Sequence, residues 1–212
     1  MPVSPRITGT TLALVSVGAA LIAASTLWGG FALSEGVPIT LQTLAVLTVG
    51  AVLGAVRGAA AILVYLALGT AGLPVWSGHQ GGAQVWASPR AGFLVSFVLA
   101  AFVTGWIAER LAAKRSATFV GFLGATVVGA IGIITVVGWA YFAIRVHMSV
   151  ADTLATLTPF LPGDIIKAFL AAVVAVAVHA AYPQILSPAR RTTSPATTPG
   201  GAPSATTRAG AR

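Results

Sequence analysis

What most constrains this chain is where charge is missing. Six apolar stretches, residues 11–33, 41–56, 58–71, 93–108, 119–144 and 163–185, hold few ionisable side chains, and the polar residues gather between them. A helix rises 1.5 Å per residue, so about 20 apolar residues cross a hydrocarbon core of about 30 Å. The first, fifth and sixth stretches meet that length and the fourth nearly does. Of the 212 residues only 8% are charged, against roughly 25% in a soluble domain. So little charge cannot cover a globular surface. Soluble enzyme, DNA-binding module and disordered protein are excluded, and a polytopic α-helical membrane protein is expected.

The second and third stretches are short, with only Arg57 and Gly58 between them. Fusing them would bury Arg57 near mid-membrane, which is costly. A tight hairpin of two short helices, with Arg57 at the membrane surface, is expected instead. Arg6, an apolar run and Ala23-Ala24-Ser25 share features with a cleaved leader. The run is longer than a signal core, however, and five more apolar stretches follow, so it is read as the first membrane helix. The fold class is thus an all-α membrane protein with six transmembrane helices.

The cations orient it. With six spans, both termini share a side with the links after the second and fourth helices. That side collects Arg6, Arg57, Arg110, Lys114, Arg115, Arg190, Arg191, Arg208 and Arg212, while the opposite loops hold Arg90 and Arg145. Cytoplasmic loops carry the excess of Lys and Arg, so both termini are expected in the cytoplasm of a cell-membrane protein. The asymmetry also accounts for most of the net charge of +8 without nucleic acid. The domain reading is a cytoplasmic segment over 1–10, a six-helix membrane domain over 11–186 and a disordered cytoplasmic tail over 187–212. The tail is Ser, Thr, Pro, Ala, Gly and Arg, with nothing to build a core. Its Arg190 and Arg191 suit anionic lipid.

Three outward loops, residues 34–40, 72–92 and 145–162, hold most of the unusual chemistry. The sharpest signal is Phe160-Leu161-Pro162-Gly163-Asp164-Ile165-Ile166-Lys167. Pro162 suits a first helical turn, the helix dipole there favours the anion of Asp164, and Lys167, three residues on, shares its face. The pair reads either as a capping carboxylate with a local salt bridge or as the polar floor of a solute site. An ionised Asp accepts N–H donors and Lys donates up to three bonds, which suits a ligand with a urea- or amide-like edge and a carbonyl or carboxylate. In the second loop, glycines including Gly82 let backbone approach a ligand. Trp76 and Trp86 offer apolar walls, while Gln84, Ser77 and Ser88 offer hydrogen bonds. Arg90 suits a carboxylate held bidentately, or alternatively lipid phosphate beside an interfacial tryptophan belt. Gln42 and Thr43, at the start of the second helix, either line the cavity or bond neighbouring helices.

Ser16, Ala20 and Ala24 follow a small-xxx-small spacing that permits close helix approach, inside the bundle or against a partner protein. Cysteine is absent, and His79, His147 and His179 lie in separate segments, so no metal and no cofactor is expected. No phosphate-cradling G-x-x-x-x-G-K-[ST] string is present, so the chain does not itself use ATP. No nucleophile–base pattern marks it as an enzyme.

Val37-Pro38-Ile39-Thr40-Leu41-Gln42-Thr43-Leu44, the run from Gly50 to Gly58, Tyr65-Leu66-Ala67-Leu68-Gly69 with Ala71-Gly72-Leu73-Pro74-Val75, the Gly81-to-Gly92 loop, and Phe160-Leu161-Pro162-Gly163-Asp164 with Lys167 occur in that order. In these strings the chain resembles the BioY family, the biotin-binding S component of energy-coupling factor (ECF) transporters. The V-P-I-T-L-Q-T and L-P-G-D-x-x-K strings together are specific, and the likeness covers nearly all of the chain except its ends. It implies six helices and a biotin pocket near the outer face, with Asp164 and Lys167 touching the vitamin and the glycine loop closing over it. It further implies a transmembrane coupling protein and a pair of ATP-binding-cassette ATPases as partners, docking on the small-residue face of the first helix. Ser88-Pro89-Arg90-Ala91-Gly92-Phe93 departs from a more usual G-P-T-G-G-Y-like string, and Trp76 and His79 make the loop bulkier. Two other readings stay open from the residues alone: a stand-alone secondary transporter of biotin or another small carboxylate, and a membrane-embedded enzyme. Self-association when alone is also left open.

Overall fold

The computed structural model describes residues 8–27, 31–34, 37–114 and 118–186. Apart from one short hairpin the elements are helical: α1 Gly9–Leu27, α2 Gln42–Leu53, α3 Ala55–Thr70, α4 Ala91–Ala113, α5 Phe119–Val127, α6 Val136–Val146, α7 Val150–Leu157 and α8 Leu161–Ala181. A π-helical segment, Val128–Thr135, joins α5 to α6, and a 3-10 turn, Thr158–Phe160, joins α7 to α8. Four helical runs are long and apolar enough to cross a membrane: Gly9–Thr26, Ala91–Ala113, Phe119–Val146 and Val150–Ala181. α2 and α3 are apolar but shorter. The outward surface is apolar too, with Val17, Val56, Leu63, Val120, Ile144 and Phe169 all exposed. That is a surface for lipid, not water. The chain is an all-α membrane protein.

α4 is the central helix. It packs on α2, α3, α5, α6 and the π-helical segment, while α1 lies against α3 and α2, and α8 against α2 and α5. Small residues at these seams, among them Ala45, Ala51, Ala100, Ala101, Ala108 and Ala172, are buried. In lipid, helix association depends on close packing and on interhelical hydrogen bonds. One joins α5 to α8, Thr126 Oγ1 donating to Ala168 O at 2.8 Å, and Thr26 Oγ1 ties α1 to the segment between α3 and α4 by donating to Val75 O at 2.8 Å.

The break between α2 and α3 lies at Gly54, three residues before the expected Arg57–Gly58 junction. Gly54 has φ +87° and ψ 178°, a conformation that a side chain would strain. The chain therefore turns where a residue without Cβ permits it, not where the charge sits. Glu109 Oε1 accepts from Ala55 N at 3.0 Å, satisfying one of the open donors of the α3 start. Arg57 lies in the first turn of α3 and its Nη1 donates to Ile185 O at 2.8 Å, at the end of the bundle.

Two further boundaries differ from expectation. The first apolar stretch does not stay helical to Leu33: α1 ends at Leu27, and Phe31–Ser34 (β1) pairs antiparallel with Val37–Ile39 (β2), Phe31 opposite Ile39. Pro38 is tolerated because a two-stranded ribbon has only edge strands. The third outward loop, expected over 145–162, contains α7. Ser149 starts that helix, its Oγ accepting from Asp152 N at 3.1 Å, and α8 begins at Leu161 instead of Gly163. The expected N-terminal segment falls outside the described residues up to Ile7. The tail from Ser187 onward also lies outside them.

Candidate ligand cavity

One end of the bundle is hollow. Where α2, α4 and α8 begin and α3 and α6 end, a cavity of about 560 Å³ opens. That lies inside the roughly 300–1,000 Å³ typical of small-molecule sites. One wall is aromatic: Trp139 meets Phe93, Phe142 and Phe160 edge to face, with ring centroids at 5.8, 5.4 and 5.4 Å.

α8 carries the polar floor. Pro162 falls in its first turn, as the helix-start reading requires. Asp164 Oδ1 lies 3.0 Å from Lys167 Nζ, and the side chains are 14% and 11% exposed. Both residues line the cavity. The local salt bridge is thus formed, without a side-chain cap at the start of α8, and the pair lies in the cavity lining. Gln42, at the start of α2, is 6% exposed and lines the cavity as well. Its Nε2 donates to the Tyr65 hydroxyl at 2.9 Å.

The segment between α3 and α4 forms the opposite wall. Trp76 is 5% exposed and stands edge-on to Tyr65 with centroids 5.3 Å apart. A side chain at Gly69 would collide with the indole, so only glycine lets the ring lie there. Trp76, Gln84 and Arg90 line the cavity, but Gly82 does not. Gly82 instead holds Trp76 from behind, its carbonyl accepting from Trp76 Nε1 at 3.2 Å. Gln84 Nε2 donates to Gly81 O. Trp86 stands outside the lining, its Nε1 donating to Thr70 Oγ1 at 2.9 Å. Arg145 Nη2 donates to Ala87 O at 2.6 Å, tying the end of α6 to this segment.

Of the residues singled out from sequence, Asp164, Lys167, Arg90, Gln84, Trp76 and Gln42 therefore come together around one cavity. Ser16, Ala20 and Ala24 lie elsewhere, on an exposed face of α1. Sequence reasoning missed Tyr65, Trp139, Phe160 and Thr135 as cavity residues. Thr135 closes the π-helical segment, its Oγ1 donating to Ala130 O at 3.0 Å. π-segments of this kind occur often at functional sites.

The profile of the BioY family matches residues 2–184. The chain belongs to the BioY family. The biotin transporter BioY of Rhizobium etli is 43% identical over 157 residues, which are 73% of this chain and 83% of that protein. The biotin transporter BioY of Rhodobacter capsulatus is 39% identical over 180 residues, 82% of this chain and 95% of the other. A crystal structure of the S-component for biotin from an ECF-type ABC transporter superposes with a TM-score of 0.77 at 25% identity, covering 84% of this chain and 95% of that one. As a BioY protein with several long apolar helices, the chain is a multi-pass protein of the cell membrane.

Proposed function

We propose that this chain is the biotin-binding S component of an ECF-type transporter. It captures biotin at the outer face and passes it inward together with a transmembrane coupling protein and ABC-type ATPases. The relatives named as biotin transporters and the solved biotin S-component support this reading. The observation that carries it is the part-buried Asp164–Lys167 pair facing an aromatic-walled cavity. A cyclic urea presents N–H donors and a carbonyl; a carboxylate beside an ammonium matches both. Asp164 accepts from the ureido N–H edge and Lys167 donates to the ureido carbonyl. Arg90 holds the valerate carboxylate, while Gln84 and Trp76 border the tail. Phe93 and Trp139 supply the apolar surface against the ring system.

The spans are six, α2 and α3 included, with both termini cytoplasmic. Arg57 at the α3 start and Arg110 in the last turn of α4 lie at the end away from the cavity, which supports a cavity opening outward. Ser16, Ala20 and Ala24, exposed on α1, form the face on which the coupling protein docks, and lipid covers the remaining apolar surface. Calorimetric titration of the purified full chain with biotin, beside other water-soluble vitamins, tests the ligand. Heat with biotin alone supports the assignment; no binding of biotin, or equal binding of unrelated vitamins, overturns it.

A further inference from the structure

Tyr65, on α3, is 1% exposed and lines the cavity beside Gln42, and its hydroxyl bonds to α2 and to the segment between α3 and α4. Its hydroxyl has one hydrogen and two neighbours: Gln42 Nε2 at 2.9 Å and Val75 O at 3.1 Å. A carbonyl only accepts, so two oxygens at that distance need a hydrogen between them. Thr26 is the other donor near Val75 O, at 2.8 Å, but its single hydrogen is shared with Ala23 O at 2.7 Å. The Tyr65 hydrogen is therefore committed to Val75 O, and the phenolic oxygen must accept.

That commitment decides which way the Gln42 carboxamide faces. Its NH2 group is turned to Tyr65, so its Oε1 is the free end. Gln42 is 6% exposed, lines the cavity, and its Oε1 has no hydrogen-bond partner among the described residues. Burying an acceptor without a partner is unfavourable. A ligand donor in the cavity would remove that cost.

We propose that Tyr65 is a positioning residue for ligand recognition: by accepting from Gln42 Nε2 while donating to Val75 O, it holds Gln42 Oε1 toward the cavity as an acceptor for a ligand N–H. The inference rests on the biotin reading, in which the ureido edge brings two N–H groups. Asp164 and Gln42 then serve as the two acceptors. The same hydroxyl ties that acceptor to Val75, beside Trp76, so the orientation of the amide depends on the wall between α3 and α4 being in place.

A double-mutant cycle on the full chain tests this, with biotin as the probe. Tyr65→Phe should weaken biotin binding roughly 3- to 10-fold, the worth of one neutral hydrogen bond. In a Gln42→Leu background the same Tyr65→Phe change should alter affinity by no more than about twofold, because the group it positions is gone. Equal losses in both backgrounds would show that Tyr65 acts only by holding the wall, and would overturn the proposal, as would an unchanged affinity for Tyr65→Phe alone. If the unaltered chain does not bind biotin, the ligand assignment fails first, before any variant is compared, and this inference falls with it.

Discussion

Asp164→Asn perturbs the cavity with almost no change of shape. In the structure Asp164 Oδ1 faces Lys167 Nζ at 3.0 Å, and no partner for Oδ2 occurs among the described residues. The asparagine oxygen would turn to the lysine, since Lys has donors only. Its NH2 group would then occupy the place of Oδ2 and meet the ureido N–H edge, donor against donor. Losing a charge-assisted hydrogen bond costs about 1.5–3 kcal/mol, or roughly ten- to 150-fold in affinity. The ligand-free protein should suffer less, because Lys167 keeps an acceptor and the lost helix-dipole contribution is only about 0.3–1 kcal/mol. Titration calorimetry with biotin, run beside thermal unfolding of the ligand-free variant, separates the two effects. A well-folded variant with unchanged biotin affinity would refute the reasoning and leave Asp164 as an anion that serves the start of α8.

Three more outcomes are expected. Arg90→Ala should weaken biotin far more than an uncharged biotin amide if Arg90 holds the valerate; competition binding with both ligands reads the difference, and equal losses would return Arg90 to lipid or loop structure. Ala20→Leu or Ala24→Leu should abolish ATP-driven uptake and co-purification with the coupling protein while leaving biotin binding intact, because these positions are exposed on α1, outside the cavity lining; loss of binding together with uptake would contradict the docking role. Gly54→Ala should lower the unfolding temperature, since its φ of +87° is strained for alanine and the added methyl group would collide with Glu109 Oε1; the cost is about 1–3 kcal/mol, and an unchanged midpoint would contradict the account of the α2–α3 turn.

How much of this was legible depended on which physical signal was local. Asp164 and Lys167 could be read because helix-start chemistry and i,i+3 spacing are properties of eight consecutive residues. Gln42 was legible as a polar residue at the start of an apolar run, and Trp76 as an aromatic residue within a glycine-rich outward loop. The aromatic wall was not: Phe93, Trp139 and Phe160 sit on α4, on α6 and in the 3-10 turn before α8, and in an apolar chain a phenylalanine facing lipid looks the same as one facing a ligand. The π-helical segment left no mark either, since Val128–Thr135 is as apolar as its neighbours. The α2–α3 break was misplaced by three residues because charge was weighed above backbone conformation, whereas Gly54 alone accepts the turn. α7 was taken for loop because its eight residues are short and bounded by Ser149 and Pro159, both of which also occur in turns.

The most direct test of the central claim is an experimental structure of the full chain with biotin at saturation. The account predicts the ureido ring within hydrogen-bond distance of Asp164 and Lys167, packed against Trp139, with one ureido N–H on Gln42 Oε1. Biotin bound anywhere outside this cavity, or a cavity left empty at saturating ligand, would contradict it.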